Sequence, residues 1–220
     1  IMSKRKVCVV INNRANYARI KSALSAMKKN KKIELQIVLG SSAILNRYGS
    51  VSNIIKSDGF KINHIVYTLV EGENLLTMAK STGLSIVEYS TVFNYLKPDI
   101  VLVIADRYET LAAATAASYM NILLAHTQGG EVTGSIDESV RHATTKLSHI
   151  HFPSSINAKK NIINLGEDSK KVFLVGCPSL DLINKDKLKL DKKFKKKYSN
   201  YGVGELKIDF DKPYIVILQH

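Results

Sequence analysis

Residues 100–152 read IVLVIADRYETLAAATAASYMNILLAHTQGGEVTGSIDESVRHATTKLSHIHF. Two apolar runs, Ile100–Ile104 and Ile122–His126, are each followed at once by polar groups: Asp106 and Arg107 after the first, the loop HTQGGE after the second. The stretches between have helical spacing, so the segment reads strand, helix, strand, helix, strand. In an open α/β sheet, ligands bind in the crevice outside the carboxyl ends of the strands. Polar groups at two such ends therefore face one crevice, and this segment is the candidate site.

The same alternation extends outward. Lys6–Asn12 is a continuous apolar run, followed by Tyr17, Ile20, Leu24 and Met27 at helical spacing. Ile33–Leu39 reads as a second strand. Gly40 and Gly49 punctuate a loop before a helix near Val51–Ser57, and Ile62–Tyr67 is a short strand. Leu75–Leu96 has a long helical pattern that Pro98 stops just before the strand Ile100–Ile104. Helix Glu109–Met120, strand Ile122–His126, helix Asp137–Leu147, strand His149–Phe152, helix Ile156–Leu165 and strand Val172–Val175 follow. Such order implies right-handed crossovers and a mainly parallel α/β sheet with helices on both faces. No internal repeat is visible. Ile1 precedes Met2, as a processed tag or cloning remnant would, and Tyr214–Gln219 is an apolar strand with no element after it. The chain is therefore expected to continue in its parent protein.

With 220 residues, 45% of them hydrophobic, the chain can bury a full core. No apolar run is long enough to span a bilayer, and VCVVI is too short for a signal-peptide core, so the expected location is cytoplasmic with no membrane partner. Cys8 and Cys177, the only cysteines, lie in apolar strand-like runs and read as reduced, packed thiols. The net charge of +13 peaks locally in KDKLKLDKKFKKKY, residues 185–198, where Leu188, Leu190, Phe194 and acids interrupt the lysines. That pattern reads as a solvated face or linker, and no nucleic acid is expected as a partner.

Several residues carry two readings. Asp106 suits a general base held within hydrogen-bond reach of a sugar, or equally a helix cap. Arg107 suits phosphate oxygens, or a surface ion pair. Gly129 and Gly130 permit an unusual turn that aims Glu131, unless they are ordinary loop glycines. Ser135 to Glu138 form an S-x-x-E capping box, with Ser135 as cap and Glu138 reaching back. At i+4 spacing Asp137 faces Arg141 and Glu138 faces His142. His149 and His151 share a strand face and, with His126, suggest a metal, but no third and fourth ligand pattern accompanies them, so none is expected. Arg14 stands where the first strand turns into the first helix, a place suited to phosphate. A GxGxxG motif is absent, which gives a dinucleotide site little support.

NRANYARI, ADRYETLAAATAA, HTQGGEVTGSIDESVRHATTKLSHIHF, GEDSKKVFLVGCPSLD and the terminal YIVILQH together resemble the hydrolysing UDP-N-acetylglucosamine 2-epimerases of sialic acid biosynthesis. The resemblance spans essentially the whole chain. It implies a Rossmann-like domain forming the N-terminal half of a GT-B architecture over residues 1–183, a basic linker or insert over 184–212, and the first strand of a second domain over 213–220. It also implies a reaction: UDP is eliminated across C1 and C2 of the sugar to give 2-acetamidoglucal, and water then adds to give N-acetylmannosamine. By motif position, Asp106, Glu131 and Asp137 become the acid/base carboxylates, and Arg14, Arg107 and His220 the nucleotide and phosphate contacts. His126 and Gln128 would line the same pocket. A UDP-sugar is the implied partner, no metal or other cofactor is implied, and the full-length protein is expected to be a homo-oligomer, dimer or tetramer.

The chain departs from the pattern at three places. Gln128 replaces a carboxylate that many relatives carry in HIEGGE, Ser42 stands where a His is frequent, and Asn16 where an Asp is usual. A Gln can orient a group but cannot take its proton. Either Glu131 or Asp137 supplies the base, or the sugar differs. Alternatives are an epimerase for a modified sugar such as UDP-diacetylbacillosamine, a non-hydrolysing epimerase, or a catalytically silent nucleotide-sugar-binding fragment.

Overall fold

The computed structural model describes residues 4–183, 191–201, 207–213, 215 and 217. The chain divides into two compact units, Ile1–Leu180 and Asp181–His220. In the first, six parallel strands lie in the order β3-β2-β1-β4-β5-β6. They are β1 (Arg5–Ile11), β2 (Ile33–Leu39), β3 (His64–Ile65), β4 (Ile100–Ile104), β5 (Leu123–Thr127) and β6 (Ile150–Phe152). The crossover helices are α1 (Arg14–Lys29), α2 (Val51–Ser57), α3 (Leu75–Leu96), α4 (Tyr108–Tyr119) and α5 (Ile136–Leu147), and α6 (Ile156–Asn164) follows β6.

The central strands are apolar on both faces because helices cover both. Val7, Val9 and Ile11 of β1 pack with Tyr17, Ile20 and Leu24 of α1 and with Val51 and Ile55 of α2. The alternate residues Cys8 and Val10 pack with Tyr89, Val92 and Phe93 of α3 and with the alanines of α4. Ala112, Ala113, Ala114 and Ala117 are fully buried, and their short side chains let α4 lie between the sheet and its neighbour. Local signals set the ends: Asn13, Asn74 and Ser155 cap α1, α3 and α6, and α3 stops at left-handed Lys97 just before Pro98.

Most expected elements occur within a residue or two of their expected ends. The strand Ile62–Tyr67 shortens to His64–Ile65 at the sheet edge, where pairing comes from one side only. The strand Val172–Val175 is corrected to a single bridge between Val172 and His151. The capping box at α5 also needs correction. Ser135 makes no side-chain cap bond, and the Glu138 carboxylate instead accepts from the Thr133 and Gly134 N–H groups, both at 2.6 Å. Cys177 lies in a loop, not a strand.

In the second unit, α7 (Lys192–Tyr198) is capped by Asp191, which accepts from the Phe194 N–H at 2.7 Å. Phe194 packs against Tyr198 and Phe210, and Lys195 pairs with Asp211. Of the expected strand Tyr214–Gln219 only Ile215 and Ile217 are among the described residues, neither of them in a strand, and His220 lies outside the described residues. Among the described residues no helix is long and apolar enough to cross a membrane.

Candidate active site

Strand order reverses between β1 and β4, and a crevice at such a switch point is where open α/β sheets bind ligands. Here the chain leaves three strands in a conformation that non-glycine residues avoid. Ser41 after β2, Ala105 after β4 and Gln128 after β5 have φ of 50°, 59° and 60°. Strain of this kind persists only where the surroundings fix it, and it clusters at functional sites.

Asp106 follows Ala105. Its carboxylate is not the helix cap, since Arg107 occupies that position with no side-chain cap bond. Asp106 instead forms an ion pair with Nη2 of Arg141, reaching in from α5. Arg141 is a fully buried side chain, 2% exposed, whereas Asp106 is 19% exposed and keeps an open edge. Arg141 Nη1 also donates to the Glu131 carbonyl at 2.5 Å, so one guanidinium ties the end of β4 to the loop after β5. The Glu131 carboxylate accepts from Ser154 Oγ at 2.6 Å.

The expected pairing of Asp137 with Arg141 is absent, because Arg141 turns inward to Asp106. Asp137 lies near Arg107 instead. Burial opposes the Arg107 charge, but Glu109 first, with Asp137 behind it, more than offsets this and holds the guanidinium above its ordinary range. Arg107 is half-exposed and donates from Nε to the Glu109 carboxylate at 3.2 Å. Glu138 and His142 do approach, at 3.8 Å.

The glycine pair has two separate uses. Gly130 has φ +79°, and a Cβ there would lie 2.2 Å from the Ala158 carbonyl oxygen, so only glycine fits. A Cβ on Gly129 would lie 2.8 Å from Thr145 Oγ1 and 2.9 Å from His126 Nδ1. His126 itself is fully buried, and burial pushes its pKa down to about 4, so the ring is neutral at pH 7. Its place is behind the strand ends rather than on the crevice surface. The Gln128 amide accepts from Arg19 at 3.2 Å and donates to Cys177 Sγ at 3.4 Å. Hydrogen bonding from Ser179 and Gln128, near Arg19, outweighs burial and lowers the Cys177 pKa.

Across the switch point is a cavity of about 450 Å³, within the size range of ligand pockets. It is lined by Arg107, Tyr108 and Glu109 from the end of β4, by Ser41 and Ser42 after β2, and by Met78 of α3. Glu109 is fully buried and accepts from Ser41 Oγ at 2.7 Å. Ser42 Oγ donates to the Asn12 carbonyl at 3.2 Å. Asn16 bridges the two strand ends: its side-chain oxygen accepts from the Asn12 N–H at 3.1 Å, and its Nδ2 lies 3.5 Å from the Ile104 carbonyl. Arg14, at the first turn of α1, is exposed.

The structure thus brings Asp106, Arg107, Glu131, Asp137 and, behind them, His126 around the ends of β4 and β5, with Gln128 held by Arg19 and Cys177. Sequence reasoning missed Arg141 and Thr145 on α5, Ser154, Glu109 and Arg19. A visible signal existed for α5: Asp137, Arg141 and Thr145 recur at i+4, which places them along one helix face.

The sequence model of the family described as UDP-N-acetylglucosamine 2-epimerase matches residues 25–220. A UDP-N,N'-diacetylbacillosamine 2-epimerase (hydrolyzing) from Legionella pneumophila is 35% identical over 98% of this chain and 55% of its own length. A GDP/UDP-N,N'-diacetylbacillosamine 2-epimerase (hydrolyzing) from Campylobacter jejuni is 36% identical over 83% of this chain and 47% of its own. The UDP-GlcNAc 2-epimerase from Neisseria meningitidis, solved bound to UDP-GlcNAc, superimposes with a TM-score of 0.74 at 23% identity, covering 89% of this chain and 53% of that one. The chain spans about half the length of these relatives, and the sheet is the expected Rossmann-like N-terminal half of their GT-B architecture. The chain belongs to the UDP-N-acetylglucosamine 2-epimerase family.

Proposed function

We propose that the full-length protein is a hydrolysing 2-epimerase of a UDP-linked 2-acetamido sugar. The observation that carries this reading is Asp106, a partly exposed carboxylate on a strained strand end, oriented by buried Arg141 and next in the chain to the cationic Arg107. Epimerisation at C2 requires removing a proton from carbon next to C1 while the diphosphate departs. The first task needs a positioned carboxylate, and the second needs cations or donors at the leaving oxygens. Asp106, Glu131 and Asp137 are the groups for proton transfer, with Arg107 and Arg14 facing the diphosphate. UDP leaves with the C1–O bond pair, the 2-acetamidoglucal keeps the C1–C2 double bond, and water then adds its hydroxyl to C1 and a proton to C2 from the other face. Gln128, held by Arg19 and Cys177, orients its neighbours and exchanges no proton.

With UDP-N-acetylglucosamine as substrate the products are UDP and N-acetylmannosamine, a precursor for nonulosonic acids such as sialic acid. A second reading takes a diacetamido sugar. It is favoured by the Legionella and Campylobacter relatives, whose names carry diacetylbacillosamine, and by Gln128, Ser42 and Asn16.

The test is incubation of the full-length protein with both UDP-sugars in D₂O. The expected result is free UDP and a sugar bearing deuterium at C2. Epimerised sugar still attached to UDP would instead make the enzyme non-hydrolysing, and intact substrate in both incubations would leave a binding protein only.

A further inference from the structure

The family resemblance implies that His126 lines the substrate pocket, yet its ring is 1% exposed and both nitrogens are engaged within the protein. Nε2 lies 2.8 Å from the Ala105 carbonyl oxygen, and a carbonyl can only accept, so Nε2 carries the proton. In a neutral ring Nδ1 is then an acceptor, and the Thr145 hydroxyl, 3.2 Å away, donates to it. Gly129 keeps this contact open, because any side chain there would press on both Thr145 Oγ1 and His126 Nδ1.

The chain of contacts leads to the reacting carboxylate. Ala105 is the left-handed residue immediately before Asp106, and its N–H donates to the Thr127 carbonyl at 3.0 Å. Its carbonyl orientation sets where Asp106 starts, and the His126 side chain holds that carbonyl. Thr145 sits one helical turn beyond Arg141 on α5. One face of α5 therefore grips Asp106 twice: Arg141 holds the carboxylate, and Thr145, through the imidazole, holds the backbone that carries it.

We propose that His126 and Thr145 are positioning residues that fix the strained Ala105–Asp106 peptide, and that His126 neither touches the sugar nor transfers a proton. The inference rests on the proposed epimerase reading for the role of Asp106. It differs from a merely structural role because it separates kcat from KM and leaves the pH profile intact.

The experiment uses the full-length protein with Thr145→Val, which removes only the hydroxyl, Thr145→Ser, which restores it, and His126→Gln, which keeps an amide donor near the Nε2 position. Thr145→Val should lower kcat for UDP release about tenfold or more, the scale of a modest misplacement of a reacting group, with KM within about twofold. Thr145→Ser should recover most of it. His126→Gln should lower the height of the pH–rate profile and keep both limbs. A wild-type kcat in Thr145→Val, a raised KM with unchanged kcat, or a missing limb in His126→Gln would each overturn the proposal. Nitrogen-15 spectra of labelled histidine separate this test from the parent reading. If the wild type releases no UDP, the epimerase reading fails, whereas an imidazole protonated on Nδ1 or on both nitrogens at pH 7 would sink the positioning role whatever the activity.

Discussion

The two sides of the strand-end crest are built differently. After β4 and β5 the polar groups are buried or half-buried and cross-braced: Arg141 to Asp106 and to the Glu131 carbonyl, Ser154 to Glu131, His126 to Ala105. After β2 and β3, beside the cavity, the ion pairs are surface ones. Arg47 meets Glu71 at 3.1 Å and Glu73 at 3.7 Å, with the acids 83% and 72% exposed. Exposed pairs of this kind contribute little, whereas breaking a buried one leaves a charge uncompensated. On the proposed reading, the braced side is where a reacting atom must be held to a fraction of an ångström, and the open side is where a ligand has room.

The largest effect that could break this contrast is on turnover. Asp106→Asn in the full-length protein should keep the fold and lower UDP release by at least about a hundredfold, as expected for a lost acid/base group. Near-normal release would reduce Asp106 to a partner for Arg141. Next comes stability of the braced side. Gly130→Ala should cost about 3 kcal/mol or more in chemical denaturation, because the added methyl meets the Ala158 carbonyl at a φ that alanine avoids. A loss below about 1 kcal/mol would show that the loop after β5 yields easily.

Acid should act on the same side. His126 is held near pKa 4 in the fold against 6.5 ordinarily, so above pH 6.5 both states are neutral and the fold is not penalised. As pH falls from 6.5 toward 4 only the unfolded chain takes the proton, and stability drops. The slope is about 1.4 kcal/mol per pH unit, or about 2 kcal/mol between pH 6.5 and 5. His151, also lowered by burial despite Glu167 at 3.3 Å, adds loss of the same sign. Denaturation at the two pH values on wild type and His126→Gln checks this, since the variant should lack the first part. The smallest effect belongs to the open side: Arg47→Ala should leave the melting temperature within about 1 °C. A shift of several degrees would mean that the surface pairs brace the cavity after all.

Much of the fold was legible because its strands are apolar runs punctuated by polar ends. Ile100–Ile104 and Leu75–Leu96 match their expected limits, the latter because Pro98 forbids continuation. Apolar content misled where a run has little to pair with, as at Val172, whose single bridge among the described residues is to His151. In the site, Asp106, Arg107 and Glu131 were readable from their place after strands. Their partners were not. Spacing on one helix offered Arg141 to Asp137, but a buried guanidinium needs a partner that stays with it out of water, and Asp106, distant in sequence, supplies it. Glu109 marked only the start of a helix in the sequence, and the fold shows it buried between Ser41 and Arg107.

The central claim is that α5 and the end of β4 act as one unit on the substrate. It is tested most directly by a double-mutant cycle on UDP release in the full-length protein, using Asp106→Asn, Arg141→Gln and the pair. If Arg141 acts through Asp106, the double variant should be hardly slower than Asp106→Asn alone, within about threefold, as for residues that work as a unit. Losses that multiply across the two sites would show that Arg141 and Asp106 act independently, and would contradict the account.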